Sequence, residues 1–279
     1  MTVFAARQLE SYVYGAWTRG AKASAPVVDA STGEPVAFVD SSGIDFAAVV
    51  EHSRRVGGPA LRKMTFHQRA AMLKALAQEL TERKEEFYAL SSATGATRAD
   101  SWIDIEGGIG TLAFYASRGR RDLPNTPVLV DGDVEGLSKD DSFSAQHILS
   151  PLRGAAIHIN AFNFPCWGML EKVAPTLLAG MPAIIKPASQ TAYLTELMVR
   201  RIIEAAILPE GALQLICGNV GDLLNHVNGQ PAQRTQGGAC AAIPLWWQNL
   251  SVSTWRPTAS MRPSSERTPV PALRNSISS

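Results

Sequence analysis

The chain has 279 residues, of which 46% are hydrophobic, and its formal net charge at pH 7 is +1. That length and apolar content suffice for one large or two modest domains, and the near-neutral charge argues against a nucleic-acid partner. The N-terminal sequence lacks the long apolar run of a signal peptide or membrane span, and the three cysteines lack the spacing of a zinc site or a disulfide framework. We therefore expect a cytoplasmic protein without a metal site or membrane contact.

The first half of the chain combines short strands with long helices. Residues 10–42 contain short apolar stretches broken by Gly, Pro and Ser, which predicts hairpin-like strands. Helices are expected over 44–56, 66–91 and 99–118, and two short strands joined by a polar turn over 127–152. The apolar positions that recur at helical spacing in the longest helix are Met72, Leu73, Leu76, Leu80 and Phe87.

The pattern then changes to alternating strands and helices. The expected elements are strands at 154–160, 183–186 and 212–217, with helices from about Pro165 to Leu178 and over 191–206. A β-α-β-α-β order predicts an α/β fold with a parallel sheet and helices on its faces. Ligands of such sheets bind beyond the carboxyl ends of the strands, and Asn163 and Lys186 both follow such an end.

Asn163 lies inside an apolar run, residues 159–169. An Asn in such a run is expected to be hydrogen-bonded, because burying an unpaired amide is costly. Considered alone, the residue is best explained as a cap for the helix that begins near Pro165.

The composition changes again after about residue 230. Residues 231–279 contain no Lys, Asp, Phe or Tyr, and they hold five Arg, six Pro, eight Ser and one Glu. No helical or strand period is sustained there. We therefore expect residues 230–279, the C-terminal tail, to have no packed structure of their own.

The stretch 154–191 resembles the aldehyde dehydrogenase superfamily. Asn-Phe-Pro at 163–165, after a buried strand, and Lys-Pro-Ala-x-x-Thr at 186–191 match two signatures of that family's cofactor domain. Residues 98–117 and 160–172 are similar to one branch, the dehydrogenase half of the bifunctional phenylacetate ring-opening enzymes.

The resemblance covers about residues 8–229 and implies an incomplete aldehyde dehydrogenase fold. Its core would be a Rossmann-type parallel sheet, accompanied by parts of an oligomerisation arm at about 10–25 and 125–150. The family is homo-oligomeric. The implied reaction is NAD(P)-dependent oxidation of a semialdehyde, CoA-linked in this branch, to the acid in aromatic catabolism.

The resemblance also assigns roles to individual residues. In this chemistry a thiolate attacks the aldehyde, and an Asn side chain donates to the oxyanion that forms. Asn163 matches that Asn, and the two signatures together favour the oxyanion role over the helix cap. The cofactor-binding residues that the resemblance implies are Ile159, Phe162, Lys186, Ala188, Ser189, Gly218 and Gly221.

Ser189 bears on the choice of cofactor. Many NAD-using members of the family carry Glu at this position, where the carboxylate would repel a 2′-phosphate. Ser removes that repulsion and Lys186 adds positive charge, so NADP is favoured and NAD remains possible. Gly218 and Gly221 lie where a strand opens into a helix, a place for pyrophosphate, although GNVG is not the full dinucleotide fingerprint.

Other reactive side chains are assigned structural roles. Cys166 lies near a helix start, but the family's nucleophile comes much later in the chain, so a small core residue is expected. His158 is expected to be a hydrogen-bonded core histidine, and Glu171 and Lys172 to form a solvated helix face. Cys240 lies in the C-terminal tail without the family's surroundings.

The C-terminal tail shows neither the family's catalytic Glu nor its Cys in a recognisable setting. We interpret it as the right gene translated in a shifted frame. When the third base of each codon is read with the first two bases of the next, the codons of Trp246, Trp247 and Gln248 can encode only Val-Ala, as expected for the family. Residues 235–239 permit Thr-Gly-Arg-Ser, as the family has near its phosphate-binding turn. The chain alone is expected to be inactive. Two alternatives stay open: a non-catalytic dinucleotide-binding module, or an assembly partner of a full-length homologue.

Overall fold

The structure is a computed structural model that describes residues 6–22, 25–140, 142–226, 234–236 and 250–253. Its α-helices are α1 (Phe46–His52), α2 (Gly58–Lys63), α3 (Phe66–Glu82), α4 (Lys84–Ser91), α5 (Arg98–Asp122), α6 (Trp167–Leu178) and α7 (Ala192–Glu204). A π-helical turn at Ser53–Gly57 joins α1 to α2, and short 3₁₀ turns cover Ser92–Thr94, Ser189–Thr191 and Leu223–His226. Across these residues, none of the helices combines the length and apolar character needed to cross a bilayer.

The strands belong to three sheets. They are β1 (Arg7–Gln8), β2 (Ser11–Val13), β3 (Ala16–Thr18), β4 (Ala25–Val28), β5 (Pro35–Val39), β6 (Leu129–Gly136), β7 (Ser144–Pro151), β8 (Ala156–Ile159), β9 (Ala183–Lys186), β10 (Leu213–Leu215), β11 (Arg234–Gln236) and β12 (Leu250–Ser253). The largest sheet has the order β11-β8-β9-β10-β2-β3, and the two smaller ones have the orders β1-β5-β4 and β12-β7-β6.

The centre of the largest sheet is parallel and confirms the predicted α/β fold. Strands β11, β8, β9 and β10 run in the same direction, and Ile159 at the end of β8 pairs with Lys186 at the end of β9. Helices α6 and α7 provide the crossovers, as in other β-α-β units. The carboxyl ends of these strands therefore lie along one edge, where the predicted site residues follow.

The helix predicted over 66–91 is divided in two. Helix α3 begins at a capping box, in which Thr65 accepts from the Gln68 backbone N–H and the Gln68 side chain accepts from the Thr65 N–H. Arg83, at φ −102° and ψ 7°, separates it from α4. The predicted apolar positions of both helices are all buried in the main core, so the sequence identifies the buried face but not the break.

The N-terminal strands β2 and β3 lie in the segment predicted at 10–25 to be part of an arm, and that role remains a prediction. β2 and β3 form a hairpin that extends the largest sheet, with Tyr12 of β2 paired to Leu215 of β10. Leu9 and Val13 are fully buried, and this burial explains why the segment is attached to the largest sheet. The β6–β7 hairpin does form a separate sheet, and its role as an arm remains a prediction.

The two faces of β8 have different partners. Ile157, with Ala155 just before the strand, belongs to a small apolar cluster that includes Val49 of α1. His158 faces the opposite side, where its Nε2 lies 3.2 Å from Thr176 Oγ1 of α6. Asn160, two residues further along, therefore continues the face that packs against α6.

Two short strands of the C-terminal tail are described. β11 pairs in parallel with β8, and β12 pairs antiparallel with β7. The expectation for the rest of the tail, including the proposed frame shift around Trp246 and the position of Cys240, falls outside the described residues and stays a prediction.

Candidate functional site

The Asn163 loop, residues 160–166, follows β8 and is attached at both ends to its neighbours. Its first backbone N–H, that of Asn160, donates to the Lys186 carbonyl at 3.0 Å. At the other end the Gly168 N–H of α6 donates to the Phe164 carbonyl at 2.8 Å. The loop therefore joins the end of β9 to the start of α6.

Two hydroxyl groups at the start of α7 fix the outer part of this loop. Thr191 Oγ1 donates to the Phe162 carbonyl and Thr195 Oγ1 donates to the Pro165 carbonyl, each at 3.1 Å. Thr191 is the last residue of the Lys-Pro-Ala-x-x-Thr signature. The second signature is thus hydrogen-bonded to the residue directly before the first, a link that their sequence separation alone does not reveal.

Asp104 of α5 holds the start of α6. Its Oδ1 accepts from the Cys166 N–H at 3.1 Å and from the Trp167 N–H at 2.7 Å. Burial raises the pKa of this carboxyl to about 6, although these hydrogen bonds lower it. The cap of α6 is therefore supplied by a different helix, and the interpretation of Asn163 as the helix cap is wrong.

Asn163 itself is exposed, contrary to the expectation that an Asn in this apolar run is buried and bonded. In the part of the chain that the structure describes, its side chain has no hydrogen bond. The neighbouring Phe162 is also exposed, with 63% of its surface accessible. Since the backbone around Asn163 is fixed, the loop presents a free amide at the carboxyl edge of the sheet.

The buried asparagine of the run is Asn160. It is 4% exposed, and neither its Oδ1 nor its Nδ2 has a hydrogen-bond partner among the described residues. An unpaired buried amide is unusual, because it loses its hydrogen bonds to water without replacement. Asn160 therefore marks a polar position at the end of β8 that lies beside Lys186.

Lys186 is placed at the end of β9, as the sequence predicts. It is buried, and its Nζ donates to the Pro187 carbonyl at 2.6 Å, which leaves further donors on the ammonium group. Burial lowers the pKa of Lys186, while the nearby Cys217 raises it. The lysine is thus held in place rather than free in solvent.

Three other predicted cofactor residues lie on the same edge. Ile159, the last residue of β8, is partly buried and packs against the small apolar cluster. Ala188 and Ser189, after β9, are both half-buried. Between residues 6 and 226, as far as the structure describes them, the Ser189 hydroxyl has no hydrogen bond, so it can still bind a ligand.

Gly218 and Gly221 have a structural explanation that sequence analysis did not provide. A Cβ on Gly218, which has a φ of +153°, would lie 2.4 Å from the Ser41 backbone nitrogen. A Cβ on Gly221, at φ +49°, would lie 2.6 Å from the Phe46 ring. Both glycines are needed for the turn to pack on the protein's own chain, and their pyrophosphate role remains a prediction.

The described cysteines are not suited to nucleophilic attack. Cys166 and Cys217 are fully buried and free. Burial raises the pKa of both thiols above the ordinary value, and the nearby Asp104 raises that of Cys166 further. Cys166 is therefore the core residue that was expected, and Cys240 lies outside the described residues.

The expectations for two further side chains need correction. Lys172 is buried rather than solvated, because its Nζ donates to the Gly168 carbonyl at 2.7 Å and to Glu171 at 2.9 Å. His158 is buried as predicted, but its Nδ1 is unpaired among the described residues. Burial, together with the charge of Lys172, lowers the pKa of His158 to about 3, so it is neutral.

The residues at this edge fit a dinucleotide. Lys186 keeps donors for hydroxyl or phosphate oxygens, and Ser189 offers a hydroxyl at the same strand end. The described ranges contain no cluster of three or more His, Cys, Asp or Glu side chains that could hold a metal ion, and the predicted chemistry requires none.

Sequence analysis missed Asp104 and Asn160. The sequence did contain a signal for Asp104, because it lies at helical spacing on one face of α5. The structure buries the residues of that face, which include Ser101, Asp104, Ile105 and Gly108. A carboxylate on such a face needs partners, which makes it a candidate cap or site residue. No comparable signal separated Asn160 from Asn163, because both lie in one irregular loop.

Comparisons with known proteins agree with this geometry. Residues 17–234 match the profile described as "Aldehyde dehydrogenase family". A 3,4-dehydroadipyl-CoA semialdehyde dehydrogenase from Aromatoleum evansii is 45% identical over 221 residues, which cover 79% of this chain and 43% of the relative. A D-glyceraldehyde dehydrogenase (NADP(+)) from Picrophilus torridus is 28% identical over 166 residues, covering 59% of this chain and 31% of the relative.

A solved structure gives the same result for the fold. The aldehyde dehydrogenase from Mycobacterium tuberculosis, crystallised with NAD+, superposes with a TM-score of 0.67 at 25% identity, covering 81% of this chain and 45% of that one. The chain thus spans less than half the length of these relatives. From the family profile, the two signatures and the superposition together, the chain belongs to the aldehyde dehydrogenase family.

Proposed function

We propose that this chain is the dinucleotide-binding part of an aldehyde dehydrogenase that presents an oxyanion donor, Asn163, to the substrate. The observation that carries the proposal is the free amide of Asn163 on a loop whose backbone is fixed by Thr191, Thr195 and Asp104. A donor that is positioned before the reaction stabilises developing negative charge without reorganisation. This is the property that oxidation of an aldehyde through a tetrahedral intermediate requires.

The proposed cofactor is NADP. Lys186 would bind the ribose or its 2′-phosphate with its remaining donors, and Ser189 would donate to the same phosphate without the repulsion of a carboxylate. When bound, the cofactor supplies the hydride acceptor. Ile159, Phe162 and Ala188 would contact it along the strand ends, and Gly218 and Gly221 would shape the neighbouring turn.

The proposed substrate is a CoA-linked semialdehyde from aromatic catabolism. Support comes from the 45% identical relative from Aromatoleum evansii, which is named for such a substrate. The family's thiolate would attack the aldehyde carbon, and the Asn163 amide would donate to the resulting alkoxide.

We further propose that the chain alone does not oxidise aldehydes. Cys166 and Cys217 are buried, with a pKa raised above the ordinary value, so neither provides the thiolate that the reaction needs. Losing a nucleophile typically costs several orders of magnitude in rate. Purified chain should produce no NADPH from a semialdehyde. Turnover that disappears in Cys166→Ser or Cys240→Ser would contradict this.

Calorimetric titration of the purified chain with NADP and with NAD tests the binding function. We expect saturable binding with NADP preferred. Lys186→Met should weaken binding of both, and Ser189→Glu should shift the preference toward NAD by placing a carboxylate beside the 2′ position. Lys74→Met, which removes a lysine of α3 away from the strand ends, is the matched control.

Equal binding by the Lys186→Met and control variants would show that Lys186 does not face the cofactor. An unchanged ratio of NADP to NAD affinity in Ser189→Glu would likewise exclude contact between residue 189 and the ribose. Saturable binding without turnover is the result that supports the proposal as a whole.

An assembly role is favoured by one separate observation. The β6–β7 hairpin exposes Val130, Val134 and Leu137, each more than 40% accessible. Exposed apolar side chains on a hairpin are typical of an interface. Light scattering of the chain, compared with a Val134→Lys variant, tests whether this hairpin joins two copies. Identical masses at all concentrations would exclude that role.

A further inference from the structure

Asp104 connects two helices at the point where the Asn163 loop enters α6. It lies on the buried face of α5 and is 4% exposed. Its carboxylate accepts from the backbone N–H groups of Cys166 and Trp167, and the Cys166 thiol is hydrogen-bonded to it as well. The three donors lie within two residues of chain, directly after the loop.

We propose that Asp104 is a positioning residue for Asn163, because it fixes the first turn of α6 and thereby the direction in which the loop presents its amide. This inference rests on the proposed oxyanion role of Asn163 and extends it to a residue of another helix. Asp104 touches neither the amide nor the strand ends, so it acts through the backbone.

Asp104 can act on Asn163 through the backbone because the chain between Asn163 and Cys166 is short and constrained. Phe164 and Pro165 separate Asn163 from Cys166, and proline fixes its own φ near −65°. The carbonyls of Phe164 and Pro165 are held by the Gly168 N–H and by Thr195 Oγ1. With these constraints in place, a shift of the Cys166 nitrogen is transmitted to Asn163 instead of being absorbed by the loop.

A carboxylate suits this position better than an amide. Oδ1 accepts from both N–H groups, and Oδ2 accepts from the Cys166 N–H as well, at 3.3 Å, so both carboxylate oxygens are used as acceptors. The carboxylate also interacts favourably with the positive end of the α6 dipole. An Asn at this position keeps the size of the side chain, but its NH₂ group cannot accept from an N–H. Asp104→Asn is therefore a nearly isosteric test.

Among the described residues, the titratable side chain that interacts with the Asp104 carboxyl lies at the start of α6. On α6 the Cys166 thiol faces the carboxylate, and burial keeps that thiol protonated. Burial raises the pKa of Asp104 to about 6, and the hydrogen bonds from Trp167 and Cys166 lower it in part. A change of the α6 hydrogen bonds near pH 6 can therefore be assigned to this carboxyl.

The test uses the chain with ¹⁵N-labelled Trp and Asn. NMR spectra are recorded from about pH 4.5 to about pH 8, a range that brackets the pKa of Asp104. We expect the Trp167 backbone signal and the Asn163 side-chain signals to shift with a common midpoint near pH 6. In Asp104→Asn both shifts should be lost. Asp122→Asn, which removes an exposed carboxylate at the far end of α5, should retain them.

A Trp167 signal that titrates while the Asn163 amide does not would show that Asp104 caps α6 without positioning Asn163, and would overturn the proposal. The same is true if both signals shift identically in Asp104→Asn, since other groups would then be responsible. The readout needs neither cofactor nor substrate. If the two signals titrate together but Asn163→Ala leaves kcat unchanged, the proposed oxyanion role of Asn163 is rejected. The inference that Asp104 positions Asn163 would then still hold.

Discussion

The Asn163 loop and the turn around Gly218 both follow parallel strands at the same edge of the sheet, yet they are held in different ways. The first is fixed by three side chains of α5 and α7 that bind its backbone, which leaves the Asn163 side chain exposed and unpaired among the described residues. The second is fixed by direct contact with the protein's own chain, where Gly218 meets Ser41 and Gly221 meets Phe46.

This difference helps to separate functional residues from structural ones. The glycines of the turn are accounted for by packing, so their presence gives no independent evidence for a phosphate. Asn163 is not accounted for in that way, because Asp104 supplies the cap that an Asn might have provided. A fixed backbone with a free side chain is the stronger indication of a site.

The largest expected effect concerns Gly218. Gly218→Val should destabilise the chain by about 3 kcal/mol, since its Cβ would collide with the Ser41 backbone and the positive φ disfavours a branched residue. Gly110→Ala in α5 is the control, because its Cβ meets nothing within 4 Å and alanine favours helix. Urea unfolding of both variants checks this, and equal stabilities would mean that the turn is not held by close packing.

The second prediction uses the opposed pKa shifts of Asp104 and His158. The pKa of Asp104 is raised to about 6, so its contribution to stability is lost as pH rises through about 4 to 6. The pKa of His158 is lowered to about 3, so its contribution is lost as pH falls from about 6.5. In the shared window the two effects oppose each other.

Removing the titration of Asp104 should therefore expose the effect of His158. We expect the free energy of unfolding of Asp104→Asn to fall more steeply than that of the wild type between pH 6 and pH 4, by roughly 1 kcal/mol per pH unit. Denaturant unfolding at several pH values measures the slope. Parallel curves would show that Asp104 has the same pKa in the folded and unfolded chain.

The smallest of these effects concerns the hydroxyl groups that hold the loop. Thr195→Val should cost about 1–2 kcal/mol, because the Pro165 carbonyl loses its buried donor while the side-chain volume is kept. Thr191→Val should cost less, since the Phe162 carbonyl lies at an exposed residue where water can replace the bond. If Thr191→Val is the more destabilising variant, the outer bond is the stronger attachment of the loop.

The sequence predicts the regular parts of this fold because periodicity records which face is buried. It gives β9 at 183–186 as found and identifies the buried positions of α3 and α4. It does not give the break at Arg83 or the attachment of β2 to β10. Both depend on contacts between segments that are distant in sequence, and no local pattern carries that information.

The site is only partly predictable for the same reason. The motifs place Asn163 and Lys186 at adjacent strand ends, and the parallel pairing of β8 with β9 confirms that placement. Which Asn is buried, what caps α6 and why Lys172 is not solvated all depend on the packing of α5 against α6. Asp104 is the clearest case, since its partners lie 62 and 63 residues away.

The central claim is that Asn163 acts on the reaction rather than on the fold. The most direct test fuses residues 1–229 in frame to the second half of the Aromatoleum evansii relative and compares that enzyme with its Asn163→Ala variant, by steady-state kinetics and thermal melting on one preparation. We predict a roughly hundred- to thousandfold lower kcat, with an unchanged melting temperature and unchanged NADP affinity. A melting temperature several degrees lower with an intact kcat would contradict the account.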